Sequence, residues 1–127
     1  MLDRADSFDG PAPAFRFEVM LGGEEIGFTE VDGIDAEIVA GRREHQRITL
    51  RRGIFRGDLA LWRWFNDHAA SGAAQRTVTI TLPGVRRWIL HGAWPARLIG
   101  PALRADLNAV AIETLEIAFE QMEITDA

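Results

Sequence analysis

A chain of 127 residues with 47% hydrophobic and 26% charged residues has the size of one domain, able to hide about two thirds of its unfolded surface. That composition excludes a disordered or low-complexity chain. The sequence holds no Cys, Lys or Tyr, so all 14 positive charges are Arg.

Those absences remove whole chemistries. Without Cys there is no disulfide framework, thiolate nucleophile, iron–sulfur ligation or Cys-based zinc site. Without Lys there is no Schiff base and no phosphate-loop lysine. Ser7 and Ser71 supply the only serine hydroxyls, and neither stands in a Gly-x-Ser-x-Gly elbow. The residues therefore argue against an enzyme, and no cofactor is expected.

A formal net charge of −5 and a pI near 5.1 give no general attraction to nucleic acid or an anionic membrane. The charges are unevenly placed. Residues 42 to 56 hold six arginines (Arg42, Arg43, Arg47, Arg51, Arg52, Arg56) against Glu44 alone, while residues 106 to 127 hold six acids and no arginine. Two solvated faces explain this pattern. So does a head-to-tail contact in which the basic segment of one copy meets the acidic end of the next. No stretch reaches the ~18 consecutive apolar residues that span a bilayer. Asp3, Arg4 and Asp6 stand where a secretory signal would be apolar, so synthesis in the cytoplasm is expected.

Residues 1–14, with Asp3, Asp6, Asp9, Gly10, Pro11 and Pro13, read as a flexible arm ahead of a single domain over 15–127. Phe15, Phe17, Val19 and Leu21 then alternate with Arg16, Glu18 and Met20, the period of a half-buried strand. Gly22-Gly23 is a hairpin signal, and a second strand is expected near Ile26–Val31. Asp32-Gly33 marks a turn, Ile34–Val39 a third strand, and Ile48 and Leu50, alternating with Thr49 and Arg51, a fourth.

The period then changes. Asp58 is a capping residue, Leu61, Trp62, Phe65 and Ala69 recur at helical spacing, and Gly72 stands where a helix C-terminus favours glycine. The spacing predicts one helix over about 58–71, anchored by Leu61, Trp62 and Phe65. Val78, Ile80 and Leu82 alternate with threonines, Pro83-Gly84 turns the chain, and Arg86–Gly92 returns. Pro95, Gly100 and Pro101 mark 93–106 as an interrupted segment that wraps an edge or corner. In the last strand, Val110–Ile124, the apolar positions move from even (Val110, Ile112) to odd (Leu115, Ile117, Phe119) and back to even (Met122, Ile124). Such a strand carries a bulge or serves two packed sheets. The expected fold is mainly β, two packed antiparallel sheets as a sandwich or barrel, with one flanking helix.

Several strings are similar to those of contractile-phage tail tube proteins and of phage-tail-like contractile injection systems. They are Gly27-Phe28-Thr29-Glu30-Val31-Asp32-Gly33-Ile34-Asp35-Ala36-Glu37, Ile48-Thr49-Leu50-Arg51-Arg52-Gly53-Ile54 and Leu61-Trp62-Arg63-Trp64-Phe65-Asn66-Asp67. Near the end come Ala93-Trp94-Pro95, Gly100-Pro101, Leu107-Asn108 and Ala111-Ile112-Glu113-Thr114-Leu115-Glu116. The resemblance spans about residues 13–124, in the family's order. It implies a non-enzymatic subunit of six-membered rings whose strands join into a continuous inner barrel, stacked into a tube that carries DNA or protein cargo. The implied partners are further copies, sheath and baseplate or spike proteins, in a virion or an extracellular particle, with no membrane insertion by this chain. Arg42, Arg43, His45, Arg47, Arg51, Arg52, Glu113, Glu116 and Glu120 are then expected at contacts between copies or rings. The excursion between the third and fourth strands, Ala40–Arg47, is shorter than the family's usual one. That departure fits a tube-initiating or baseplate-proximal ring.

Other constellations carry less. His45, His68 and His91 lie at equal long intervals, unlike metal-ligand spacing. Arg42, Arg43, Arg47 and His45 lack the glycine-rich cradle of a phosphate site. A binding barrel with Trp62, Trp64, Trp88 and Trp94 around a pocket, and a hydrolase using Asp32 and Asp35, remain as rivals of other classes.

Overall fold

The computed structural model describes residues 16–35, 38–39, 42–43, 46–72, 74–106 and 110–127. Among the described residues ten strands and one helix follow in chain order: β1 (Glu18–Leu21), β2 (Glu24–Glu25), β3 (Glu30–Asp32), β4 (Ile38–Val39), β5 (Arg42–Arg43), β6 (Gln46–Gly53), α1 (Ala60–Ser71), β7 (Arg76–Leu82), β8 (Arg86–Ile99), β9 (Ile112–Phe119) and β10 (Gln121–Thr125). Eight strands form one antiparallel sheet in the order β2-β1-β7-β8-β9-β6-β3, with β10 also on β8; β4 and β5 pair by themselves. The expected mainly-β fold with one helix is what forms. The sheet does not close into a barrel.

Two long strands make the single sheet behave as two layers. β8 pairs with β7 and β10 along its first half and with β9 along its second, from Trp94 to Ile99. Interruption over 93–106 was the expectation, yet β8 runs through Gly92 and Pro95 to Ile99. Pro95 offers no N–H, and β7 has already ended opposite Ala93, so on that edge no ladder bond is lost. The segment does turn a corner, by changing partners instead of stopping.

The phase change in the last strand has a local cause. β9 ends at Phe119, β10 begins at Gln121, and the Glu120 N–H donates to the His91 carbonyl at 3.0 Å. Gly92, at φ +63°, lies against the Glu120 side chain. This bulge returns Met122 to the inner face, against a core that Leu115, Ile117 and Phe119 enter from odd positions, while Ile124, the next even position, is 52% exposed.

That core is continuous. Val19 and Leu21 of β1, Val78 and Ile80 of β7 and Leu90 of β8 meet Ile48 and Leu50 of β6 and Leu115 and Ile117 of β9, all at 2% exposure or less. Helix α1 contributes Leu61 and Trp64, which is fully buried with its indole N–H donating to the Ala74 carbonyl at 2.6 Å. Trp62, expected as an anchor, is instead 50% exposed. At 100° per residue the buried stripe is Leu61, Trp64, Phe65 and His68, and Trp62 lies one step round from it. Phe65 is half-buried and stacks with Trp62, ring centroids 6.2 Å apart. Gly72 ends the helix in the left-handed conformation (φ 68°), donating to the His68 carbonyl as the sequence anticipates.

Candidate assembly surfaces

Strands β6 and β9 bring the basic and acidic segments side by side within one chain. Thr49 stands opposite Glu116, Arg51 opposite Thr114 and Arg52 opposite Glu113. On the outward face Arg47 reaches Glu116 at 3.2 Å, with Arg97 of β8 3.8 Å from the same carboxylate, and Arg51 pairs with Glu30 of β3 at 2.7 Å. These pairs are solvent-exposed, each worth about 0–1 kcal/mol. Arg47, Arg51 and Glu116 thus sit on one charged face, and Glu120 is exposed at the bulge.

Arg52 and Glu113 do something else. Counting by twos from Ile48 and Leu50 puts Arg52 on the inner face of β6, and counting back from Leu115 puts Glu113 there on β9. Arg52 is 3% exposed, the one buried charged residue among those described. Its Nε donates to Glu113 Oε2 at 2.8 Å, and its terminal nitrogens take both Asp58 oxygens at 3.0 and 3.2 Å. The Phe28 ring lies 6.0 Å from the guanidinium. The expectation of an inter-copy contact at Arg52 and Glu113 is therefore corrected: their charged groups are spent inside the fold.

Asp58 stands one residue before Leu59, the N-cap position of α1, and its Oδ1 accepts from the Ala60 N–H at 3.1 Å. The Arg52 hydrogen bonds, then that from Ala60, hold its carboxyl below the ordinary aspartate value of 3.8. The alternation read at Ile48 and Leu50 was enough to flag Arg52, but reading it as part of a surface charge run concealed it.

The remaining expected contacts are less defined. Arg42 and Arg43 are placed by backbone alone, in β5 opposite Val39 and Ile38. His45 lies outside the described residues, as do the arm over 1–14 and part of the excursion Ala40–Arg47.

In the eight-stranded sheet β2, β3 and β10 stay unpaired on their outer side among the described residues, as do both strands of the β4–β5 pair. Exposed sheet rims invite pairing with another chain. Two further surfaces stand out. Exposed Ile54, Phe55, Leu59, Trp62 and Val110 gather where β6 passes into α1. Phe17, Val31, Ile34, Leu82 and Trp88 line an apolar groove of about 240 Å³ between β3 and the turn from β7 to β8.

The four tryptophans do not converge on one pocket: Trp64 is in the core, Trp88 lines the groove, Trp94 stacks on His68 and Trp62 faces out. Asp32 and Asp35 are exposed and flank Gly33, whose carbonyl accepts from the Asp35 N–H at 2.9 Å, the local backbone role of turn residues. No cluster of three or more His, Asp or Glu able to hold a metal occurs among the described residues.

Comparison with known proteins places these surfaces in context. The family model of the T4-like virus tail tube protein gp19 matches residues 38–123. Among solved structures, one chain of the PVC sheath–tube complex, from an extracellular contractile injection system in its extended state, is 23% identical with a TM-score of 0.89, all of both chains being covered. A chain of the anti-feeding prophage cap, which terminates the anti-feeding prophage's own tube, is 26% identical with a TM-score of 0.87, again over all of both chains. Hcp1 from Flavobacterium johnsoniae is 11% identical with a TM-score of 0.60, covering 87% of this chain and 95% of the other. A search of curated proteins gives no significant match.

Proposed function

The chain belongs to the T4-like virus tail tube protein gp19 family, and on that premise we propose that it is the inner-tube subunit of a contractile injection particle, its copies closing into six-membered rings that stack. The observation that carries this reading is the likeness, over the full length of both chains, to a subunit of an extracellular sheath–tube complex. The open rims of β2, β3 and β10 support it physically, because closure around a ring removes edges that otherwise invite open-ended association. The role is mechanical and non-enzymatic: pairing between copies spreads load along a conduit for protein or DNA cargo.

Sheath and baseplate or spike proteins are the partners this role requires, the first by likeness to a sheath–tube complex. The particle acts outside the cell that makes it; no helix among the described residues is long and apolar enough to cross a membrane. Arg42, Arg43, His45, Arg47, Arg51, Glu116 and Glu120 remain contacts between copies or rings under this proposal.

A terminal or initiating ring is the second reading, favoured by the likeness to a tube-terminating cap at a TM-score of 0.87. The short Ala40–Arg47 excursion does not favour it over bulk tube, since the tube subunit of the sheath–tube complex is covered end to end. Electron microscopy of the purified chain, alone and with its sheath, tests the proposal. Sixfold rings or stacked tubes about one subunit thick are expected. Monomers at high concentration under both conditions would overturn it, and rings that never stack would favour the terminal reading.

A further inference from the structure

We infer that the apolar cluster at the start of α1 is one half of a head-to-tail contact between copies, and that the groove beneath β3 on the next copy is the other half. The inference rests on the tube reading and adds the surfaces that meet. Phe55 is 64% exposed, Trp62 50% and Leu59 52%. They lie within eight residues of one another, across a tight turn in which the Asp58 N–H donates to the Phe55 carbonyl, with Leu59 and Trp62 three positions apart. Aromatic side chains left in water as a group on a small domain mark a contact surface.

The occupant follows from charge. Exposed Arg56 and Arg63 border the cluster, while the nearby Asp58 carboxylate is taken by Arg52. This is a positive, apolar patch on a chain of net charge −5, so a second copy is electrostatically suited to it. Two identical clusters meeting face to face would oppose Arg56 and Arg63 to themselves. A head-to-tail contact avoids that and leads to rings. On the groove, exposed Asp32 and Asp35 occupy the β3 lip. Glu30 of β3 lines the groove and exposed Arg16 adjoins the lining residue Phe17, so the complementary lip is that of β3.

Within one copy Trp62 and Leu82 stand far apart. Trp64 of α1 lies over Arg76 at 5.1 Å, at the start of β7, whereas Leu82 in the groove ends that strand. Six residues of strand separate the two ends by about 20 Å, well beyond the ~7 Å between Cα atoms that a disulfide spans.

The absence of Cys makes the test direct. Full-length protein carrying Trp62→Cys and Leu82→Cys together is oxidised at high concentration and run on non-reducing gels. A ladder of covalent multimers is expected from the double variant and none from either single variant. Rings in the wild type without a ladder in the double variant overturn the docking alone. Dimers from Trp62→Cys by itself overturn it too, in favour of a symmetric contact. A ladder without wild-type rings keeps the docking and removes the sixfold tube, and neither ladder nor rings removes both. As a second measurement, Phe55→Asp is expected to weaken assembly about tenfold or more while leaving the thermal midpoint unchanged at concentrations too low for assembly; assembly equal to wild type would overturn the proposal.

Discussion

Arg52 and Glu113 face each other across β6 and β9 on the buried side of the sheet, Nε to Oε2 at 2.8 Å, at a place in each strand's alternation where an apolar residue is the rule. The guanidinium also grips Asp58, which accepts from the first N–H of α1, that of Ala60. One side chain thereby joins a central strand, its neighbour and the helix start. Arg suits the position because its planar fork satisfies two carboxylates from fixed directions, which an ammonium does not.

Arg52→Ala leaves the largely buried Glu113 without its ion-pair partner and Asp58 with the Ala60 N–H alone. We expect it to lower unfolding free energy by about 3–5 kcal/mol, the usual cost of breaking a buried pair from one side. Replacing both strand partners with apolar residues, Arg52→Met with Glu113→Leu, removes the charge along with its need and recovers most of that loss. Urea denaturation of the three proteins decides the matter. A loss under about 1 kcal/mol for Arg52→Ala would mean that water already reaches the site.

Acid acts on the same junction through Asp58. Its folded pKa is depressed, first by the Arg52 hydrogen bonds and next by the Ala60 N–H. The unfolded chain therefore binds the proton more readily, and the stability contributed by Asp58 is complete above the ordinary aspartate value of 3.8. It is lost as pH falls from there through the lower folded value. Asp58→Asn should flatten the acid limb of a stability–pH profile over that window and leave its shape near neutrality unchanged. Parallel acid limbs for the two proteins would remove Asp58 from the account.

The two tryptophans of the helix should separate cleanly. Trp64 is wholly buried and hydrogen-bonded to the Ala74 carbonyl, so Trp64→Ala opens a cavity and is expected to cost about 3–5 kcal/mol. Trp62→Ala removes a half-exposed ring stacked on Phe65 and should cost no more than about 1 kcal/mol. Thermal or denaturant unfolding distinguishes them, and equal losses would contradict the orientation of the helix.

How far the sequence discloses this structure depends on whether a pattern is local. Alternation over Ile48–Leu50 and Val78–Leu82, the change to helical spacing after Asp58, and the turns at Gly22-Gly23 and Pro83-Gly84 all correspond to elements that form. The helix face was misplaced because Trp62 and Trp64 are alike in hydrophobicity and only the sheet beneath selects between them. Pro95 read as a break because the edge left free by the end of β7 is a tertiary fact. Pairing of Arg52 with Glu113 and Asp58 joins residues up to 61 positions apart, which periodicity alone does not reach. The open rims and the apolar cluster likewise become visible only once strand neighbours are known.

Gly92 tests the bulge that lets one strand serve both layers. Its φ of +63° lies in the left-handed region, and an added Cβ would press on the Glu120 carboxylate. Gly92→Ala therefore meets two obstacles, a steric one that the exposed Glu120 side chain can relieve by swinging into solvent, and a backbone one that it cannot. The second sets the expected loss at about 1–2 kcal/mol, the usual excess for an L-residue in that conformation. Glu120→Ala combined with Gly92→Ala isolates it: the double variant should recover only a small part of the loss in a denaturant titration. Full recovery would show that crowding by Glu120, and not the handedness of the backbone, requires glycine at the corner of β8.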